Sequence, residues 1–412
     1  MALGFPASGG ELGDLLRAAL QHPQVRASLS QREAAQAQKD AATGRYFGNA
    51  TLSTGWHSFE GPRVVGVFTP GTPSAPLISD QVNQTGLSYS LPVDIFGVIA
   101  ANRERAQHDL DAAALLARQQ TLLKLHQASS AYLTLQALLE QRAALAAYRR
   151  QAEATYRRVK KEVALGKAAG VDGRYAESEL ARLHADEAVL QGEVAQAQAD
   201  LAEAAASRAD FLPSSGAIHV PDWLNAAPGA TLPAQIAVAR REAASAQAEE
   251  SRHALLPSVS LDANYFRNTG GGDHRDTWAL GGVVSLPLGM SQYKQAEAQR
   301  LSAQAAADQS EAAARDSARQ LASLHAAYDS ARADAAAMEK EVAYREQVAA
   351  VQREMQRLGS QTLENLFSHE RDLLDARYRL AQAQARAAVS WSAAQVLSGL
   401  TSANYIAEMD RK

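Results

Sequence analysis

The sequence predicts a mainly α chain with a small β part, built as two tandem repeats of a strand pair plus a long helical hairpin. Three observations predict it. The stretch Gly86-Leu87-Ser88-Tyr89-Ser90-Leu91-Pro92-Val93 recurs as Gly281-Gly282-Val283-Val284-Ser285-Leu286-Pro287-Leu288. Each Ser-Leu-Pro follows two short segments that alternate apolar and polar residues. Each then opens onto a long Ala-rich amphipathic run that turns back near a glycine. Such a duplication fixes the architecture more firmly than any single element does.

Taken in order, residues 11–43 have a helical pattern interrupted at His22-Pro23. Residues 48–57 alternate, with Ala50, Leu52, Thr54 and Trp56 on one face and Thr51, Ser53, Gly55 and His57 on the other. The Pro- and Gly-rich stretch 58–82 reads as a loop. A second strand follows at about 84–92, with Leu87, Tyr89 and Leu91 on its apolar face. The first hairpin is expected over about 95–210. Its outgoing helix has roughly 65 residues and so a length of about 100 Å. It breaks at Leu165-Gly166-Lys167-Ala168-Ala169-Gly170. Four prolines between 213 and 233 mark a linker. The second repeat then runs through a helix from about 233, strands at about 258–267 and 276–287, and a hairpin over about 291–398 that breaks at Leu358-Gly359-Ser360. Asn268-Thr269-Gly270-Gly271-Gly272-Asp273 reads as the loop joining its strands. The organisation expected is thus repeat one over 1–212, a linker over 213–232 and repeat two over 233–412.

Bulk properties narrow the function. A net charge of −4 on 412 residues supplies no field for nucleic acid. The absence of cysteine excludes a disulfide scaffold, a Cys-based zinc site and a cysteine nucleophile. No run of about 18 apolar residues offers a transmembrane helix. The opening Met1-Ala2-Leu3-Gly4-Phe5-Pro6 lacks the basic and apolar regions of a signal peptide, so an exported form is expected to be mature with an added Met.

The alternating segments, about 9–10 residues each, have the length of a tilted strand crossing a bilayer. Their apolar faces carry Trp56, Tyr89, Tyr265 and Trp278, the aromatics an interface girdle requires, while Ser, Thr, Asn, Asp and Gly line the other face. A small soluble sheet capping a helical body is the plainer reading of any one strand. Four paired and duplicated strands favour a membrane. Four strands cannot close a barrel, and open edges in lipid are forbidden, so several chains must share one barrel; three would supply about 12 strands. The Ala-rich helices allow close approach and a tube wall.

These residues carry a resemblance. Leu-Pro at each strand-to-helix junction, a Gly-x5-Asp/Asn turn at each hairpin tip, and the tail from Arg377-Tyr378-Arg379-Leu380 to Leu397-Ser398-Gly399-Leu400 make the chain similar to the TolC-like outer-membrane efflux proteins of Gram-negative bacteria, over nearly its whole length. The resemblance implies a homotrimer with a shared 12-stranded barrel in the outer-membrane lipid and a periplasmic coiled-coil tunnel. The partners it implies are a periplasmic adaptor (membrane fusion protein) and an inner-membrane transporter of RND or ABC type. It places the adaptor-docking tips at Leu165, Gly166 and Lys167 and at Leu358, Gly359 and Ser360. It places the periplasmic entrance at Asp172, Gln356, Gln361, Glu364, Asn365 and Ser368, with Glu370 nearby. Asp172 matches the first-repeat acid of the family. Asn365 and Ser368 are neutral where the best-known member is acidic, and Gln356 and Gln361 stand at its Tyr and Arg latch positions. Amide hydrogen bonds are therefore expected to replace salt bridges at the gate. Glu364 and Glu370 could supply negative charge there; an ordinary surface residue is the plainer reading of both.

No catalytic constellation accompanies these features. The histidines are scattered: His57 and His274 near strand ends, His126, His184, His325 and His369 singly on helices. Gly270-Gly271-Gly272 has no following Gly-Lys-Ser/Thr and is no phosphate loop. The chain is expected to be a passive export duct without enzyme activity or cofactor, carrying small molecules such as drugs or metal ions. A type I protein-secretion duct is the alternative within that class. A soluble coiled-coil scaffold and a periplasmic adaptor are the alternatives outside it; two complete hairpins with two strand pairs argue against the adaptor.

Overall fold

The computed structural model describes residues 10–65, 77–206, 211–213, 218–223 and 231–411. It is mainly helical with one small sheet. In chain order come α1 (Glu11–Ala19), α2 (Pro23–Gly44), a 3-10 turn (Arg45–Phe47), β1 (Asn49–Val65), β2 (Leu77–Val93), α3 (Val98–Ala164), α4 (Gly170–Ala205) and α5 (Leu232–His253). After them come β3 (Ser258–Gly270), β4 (Asp273–Ser285), α6 (Met290–Arg357), α7 (Leu363–Ser398) and α8 (Ser402–Met409). The two strand-pair-plus-hairpin repeats are present as expected. Among the described residues no helix is long and apolar enough to cross a membrane.

The chain divides into two compact units, each drawing on both repeats. One comprises Ser30–Ala114 and Ile236–Ala312 and contains the sheet. Its strands are antiparallel in the order β1-β2-β3-β4, so β1 and β4 are the edges. The pairing aligns Leu52 with Leu87, Leu87 with Tyr265 and Tyr265 with Trp278, one apolar row across all four strands. The next row aligns Thr51, Ser88, Asn264 and Ala279 on the opposite face. That period-two separation is what the alternation predicted. The strands are longer than the sequence suggested. Residues 58–65 and 77–82 belong to β1 and β2, not to a loop, and 66–76 lie outside the described residues. Gly61 and Pro62 misled the reading because proline removes a ladder donor. Here the register shifts between Ser58 and Arg63, and the irregularity accommodates the proline. Likewise Asn268–Gly270 extend β3, and only Gly271-Gly272 form the turn. Gly86 is required by packing, since a Cβ there would lie 2.2 Å from the Phe266 ring.

Helix α3 begins where the Asp94 carboxylate accepts the N–H groups of Ile99 and Ala100 at 3.1 and 2.9 Å. This caps donors that lack intrahelical partners. In the same unit α3 packs on α5 through Asn102, which donates to Glu250 at 2.8 Å, and through an Arg105–Glu250 ion pair at 3.3 Å.

The second unit comprises Met1–Leu29, Leu115–Gln235 and Ala313–Lys412. Its core contains the fully buried Trp391, Tyr328, Tyr405 and Phe367, with Leu122, Leu125, Leu135 and Leu145 from α3. Ala383, Ala387 and Ala388 have no exposed surface, so α7 meets its neighbours through methyl groups. A run of small residues permits that close approach.

Candidate functional site: the hairpin tips and the strand face

The two tips are the same structure made twice. At the first, the Gly166 N–H bonds the Val163 carbonyl at 3.0 Å and the Lys167 N–H bonds the Glu162 carbonyl at 2.8 Å. At the second, Gly359 bonds Gln356 at 3.1 Å and Ser360 bonds Met355 at 3.0 Å. This is the Schellman pattern, which closes a helix through one left-handed residue. Gly166 and Gly359 supply it at φ of +70° and +75°, with no atom within 4 Å of where a Cβ would stand. Beside them Leu165 and Leu358 are each 70% exposed, and Lys167 and Ser360 are exposed. The Ser360 hydroxyl donates to the Met355 carbonyl at 2.9 Å. The returning helices start differently. Thr362 caps α7 by accepting the Asn365 N–H at 3.3 Å, whereas Ala169 before α4 offers no side-chain cap.

The residues assigned to the entrance fall into two groups. Gln356 accepts a hydrogen bond from the Arg158 guanidinium and so joins α6 to α3. Gln361 donates to Gln352 at 2.8 Å and accepts from the Asn365 amide at 3.1 Å, an amide chain within the second hairpin. Glu364 and Ser368 are exposed and Asp172 is half-buried in the first turn of α4. Glu370 does not have the surface position expected of it: its side chain is 5% exposed and pairs with Arg353. A carboxylate so deep must be partnered, and one turn of α6 places Arg353 beside it.

Behind the tips lies a group that sequence reasoning missed. The Tyr148 hydroxyl on α3 donates to Glu179 on α4 at 2.8 Å. Arg371 on α7 pairs with the same carboxylate at 3.2 Å and donates to the Tyr175 hydroxyl at 3.2 Å. Burial and the neighbouring Glu179 carboxylate push the Tyr148 phenol well above its ordinary value. An apolar cluster surrounds the group, including Leu145, Val159, Leu183, Leu363, Leu366 and Phe367. The first hairpin and α7 are therefore held by one mixed polar and apolar seam. No spacing rule links positions 148, 179 and 371; only the packing of three helices brings them together.

On the sheet, Trp56, Tyr89, Tyr265 and Trp278 share one face and are exposed. Tyr265 and Trp278 are cross-strand partners. Trp56 and Tyr89 stand at other levels, opposite Asn83 and Ala50. Leu52, Leu280 and Val284 extend the face, 77%, 75% and 70% exposed. The apolar band ends at the next row of the same face, where Arg267 pairs with Asp276 at 3.0 Å in line with Thr54 and Thr85, and Trp56 stands beyond that row. An exposed apolar band of this kind marks contact with lipid or another apolar partner.

Among the described residues no His, Asp and Glu cluster could hold a metal. His126 accepts or donates at 2.7 Å to Ser392 in a buried network with Ser129 and Tyr405, and burial lowers its pKa. His325 stacks on Trp223 at 4.4 Å. These are packing roles.

With the geometry in hand, comparison with known proteins gives a consistent answer. The family model described as outer membrane efflux protein matches residues 15–207. The Campylobacter jejuni CmeC outer membrane channel is similar at a TM-score of 0.82 and 14% identity, covering 98% of this chain and 90% of its own. The Vibrio cholerae outer membrane protein VceC gives 0.76 and 20%, covering 95% and 96%. The open state of the Neisseria gonorrhoeae MtrE outer membrane channel gives 0.76 and 17%, covering 94% and 88%. None of the curated protein sequences matches the chain.

Proposed function

We propose that this chain, which has the fold of TolC-like outer-membrane channels and matches the outer membrane efflux protein family over residues 15–207, is the outer-membrane export duct of a tripartite efflux pump. One observation carries the reading. The four-stranded sheet has an apolar face that is exposed, a polar face behind it, and edges at β1 and β4 with no partner strand among the described residues. In lipid every backbone donor and acceptor must be satisfied internally. Three copies joined edge to edge satisfy that condition with 12 strands. The barrel sits in the outer membrane of a Gram-negative bacterium and the helices lie in the periplasm.

The duct does no chemistry. A periplasmic adaptor docks at the tips, and an inner-membrane transporter of RND or ABC type supplies the energy. Substrates are small molecules, drugs or metal ions, and cross a hydrated pore. The Arg158–Gln356 bond, which joins the two hairpins, holds the resting entrance in place of an acidic latch, and the amide contacts around Gln361 stiffen the second tip. Single-channel conductance in planar bilayers, with mass determination in detergent, tests the reading. Trimers with discrete conductance steps are expected. A soluble monomer that never inserts overturns it.

A further inference from the structure

The two tips share a backbone but not a charge. Residues 156–175 carry six Lys and Arg against two Asp and Glu; the corresponding residues 349–368 carry two against two. At the second tip the cations are neutralised, Arg357 by Glu354 and Arg353 by Glu370. At the first tip Arg157, Lys160, Lys161, Lys167 and Arg174 are all exposed, and among the described residues none makes an ion pair. Lys160 lies over the Tyr156 ring at 5.6 Å, its one contact of this kind. Arg157, Lys160 and Lys161 stand at i, i+3 and i+4, where like charges oppose helix formation by a few tenths of a kcal/mol per pair. Lys161, in the last turn of α3, complements the helix dipole, but that role does not account for five exposed cations without an ion pair among the described residues. Leu165 and Val171, 70% and 64% exposed, sit among them.

We propose that the first tip is the electrostatic half of the adaptor-docking surface, and that its partner is an acidic α-helical hairpin tip with an apolar end. The second tip, neutral and with Leu358 exposed, makes the apolar half. This deepens the duct reading and rests on it. The placement of the cations chooses a helical partner over an anionic lipid surface. Arg157 lies nine residues, about 13 Å, back along α3 from the Gly166 turn. Exposed cations spread from Arg157 to Lys167 along the flank of the hairpin suit a partner that extends beside it, as a helix does, more than a flat surface at its end. An interface of this kind owes its association rate and register to opposite charge, and its strength falls with salt.

The test uses the full-length trimer in detergent and the periplasmic adaptors encoded in the same genome, each purified. One adaptor is expected to bind wild type with an affinity that falls at least tenfold between 0.1 and 0.5 M NaCl, on the order expected for several screened ion pairs. The variant K160E/K161E/K167E, confirmed as a trimer by mass, is expected to lose at least tenfold at low salt. Reversing acidic residues at that adaptor's tip is expected to restore it. An adaptor that binds wild type and variant equally, with no salt dependence, overturns the inference and leaves the duct intact. Binding of the wild type to phosphatidylglycerol vesicles, lost in the variant while adaptor binding is unchanged, also overturns it in favour of lipid. Conducting trimers that bind no adaptor overturn both the inference and the pump assignment.

Discussion

Arg371 on α7 lies 3.2 Å from the Glu179 carboxylate on α4, although the two belong to different repeats. Glu179 is 5% exposed and Arg371 is 32% exposed. The partners are therefore unequal. Removing Arg371 strands a buried carboxylate with only the Tyr148 hydroxyl, while removing the Glu179 charge leaves a cation that water still reaches. We expect Arg371→Ala to cost about 3 kcal/mol, in the range of broken buried pairs, and Glu179→Gln to cost less. The double variant should cost less than the sum of the two, because the sites share one interaction. Thermal unfolding in detergent followed by circular dichroism decides it; strict additivity would show that the pair does not couple the hairpins.

Alkaline stability follows from Tyr405. It is wholly buried, bonded to Ser129 at 2.6 Å and Ser392 at 2.5 Å, and burial pushes it up to about 12. A pKa raised on folding gives stability that is complete below the unfolded value near 10 and is lost as pH climbs towards 12. Two pH units correspond to about 2–3 kcal/mol. Burial also raises Tyr132 and Tyr378 to about 12, and the half-buried Tyr378 adds the smaller share. Tyr405→Phe should be about 1 kcal/mol less stable at pH 7 for its lost hydrogen bonds. It should also show a shallower decline between pH 10 and 12. A decline as steep as wild type would assign the alkaline loss elsewhere.

Gly13 depends on Asp410. The Asp410 carboxylate accepts the N–H groups of Gly10 and Gly13 at 2.7 and 3.0 Å and so caps α1 from the far end of the chain. A Cβ on Gly13 would lie 2.5 Å from that carboxylate. Alanine is the better helix former by about 1 kcal/mol, yet Gly13→Ala should destabilise, because Asp410 must withdraw and leave helix donors unpaired. Asp410→Ala should cost about 1–2 kcal/mol, as other cap removals do. Combined with it, Gly13→Ala should turn neutral or stabilising. Denaturation midpoints of the three variants are the readout.

What the sequence disclosed and what it hid follow one physical line. Features written in local spacing were legible: the strand alternation around Leu52 and Leu87, the helical runs without Gly or Pro, and the turns at Gly166 and Gly359. Irregular strands were not, because Gly61 and Pro62 look the same in a bulge as in a loop. Partnerships across the chain were invisible. Glu370 had the look of a surface residue until α6 placed Arg353 against it. Asp410 near the C-terminus gave no sign of capping α1. The Tyr148–Glu179–Arg371 group needs three helices in register, and no single helix contains that information.

Gly359 separates the tip from the rest of the molecule. Its φ of +75° is one that a β-branched side chain resists, at a cost of roughly 1–2 kcal/mol. No atom lies within 4 Å of its Cβ position, so a side chain there disturbs the turn and nothing packed behind it. Gly359→Val should leave the mass of the particle and its thermal midpoint almost unchanged and reduce export. Substrate accumulation in cells carrying the variant is the measurement, and accumulation equal to wild type would remove this tip from docking.

The strand face makes the last prediction. Leu280 pairs with Ala263 on the apolar side, and its neighbour Ala279 pairs with Asn264 on the polar side. Both are exposed. If lipid covers the first side and water the second, a charge should discriminate sharply between adjacent residues. Leu280→Arg near the middle of the strand should cost about 2–4 kcal/mol of membrane-inserted stability, while Ala279→Arg, facing a wet lumen, should be tolerated. Urea unfolding of the reconstituted protein in lipid vesicles measures both. Equal effects of the two arginines would mean that the sheet does not have one face in lipid, and the barrel would have to be abandoned along with the duct.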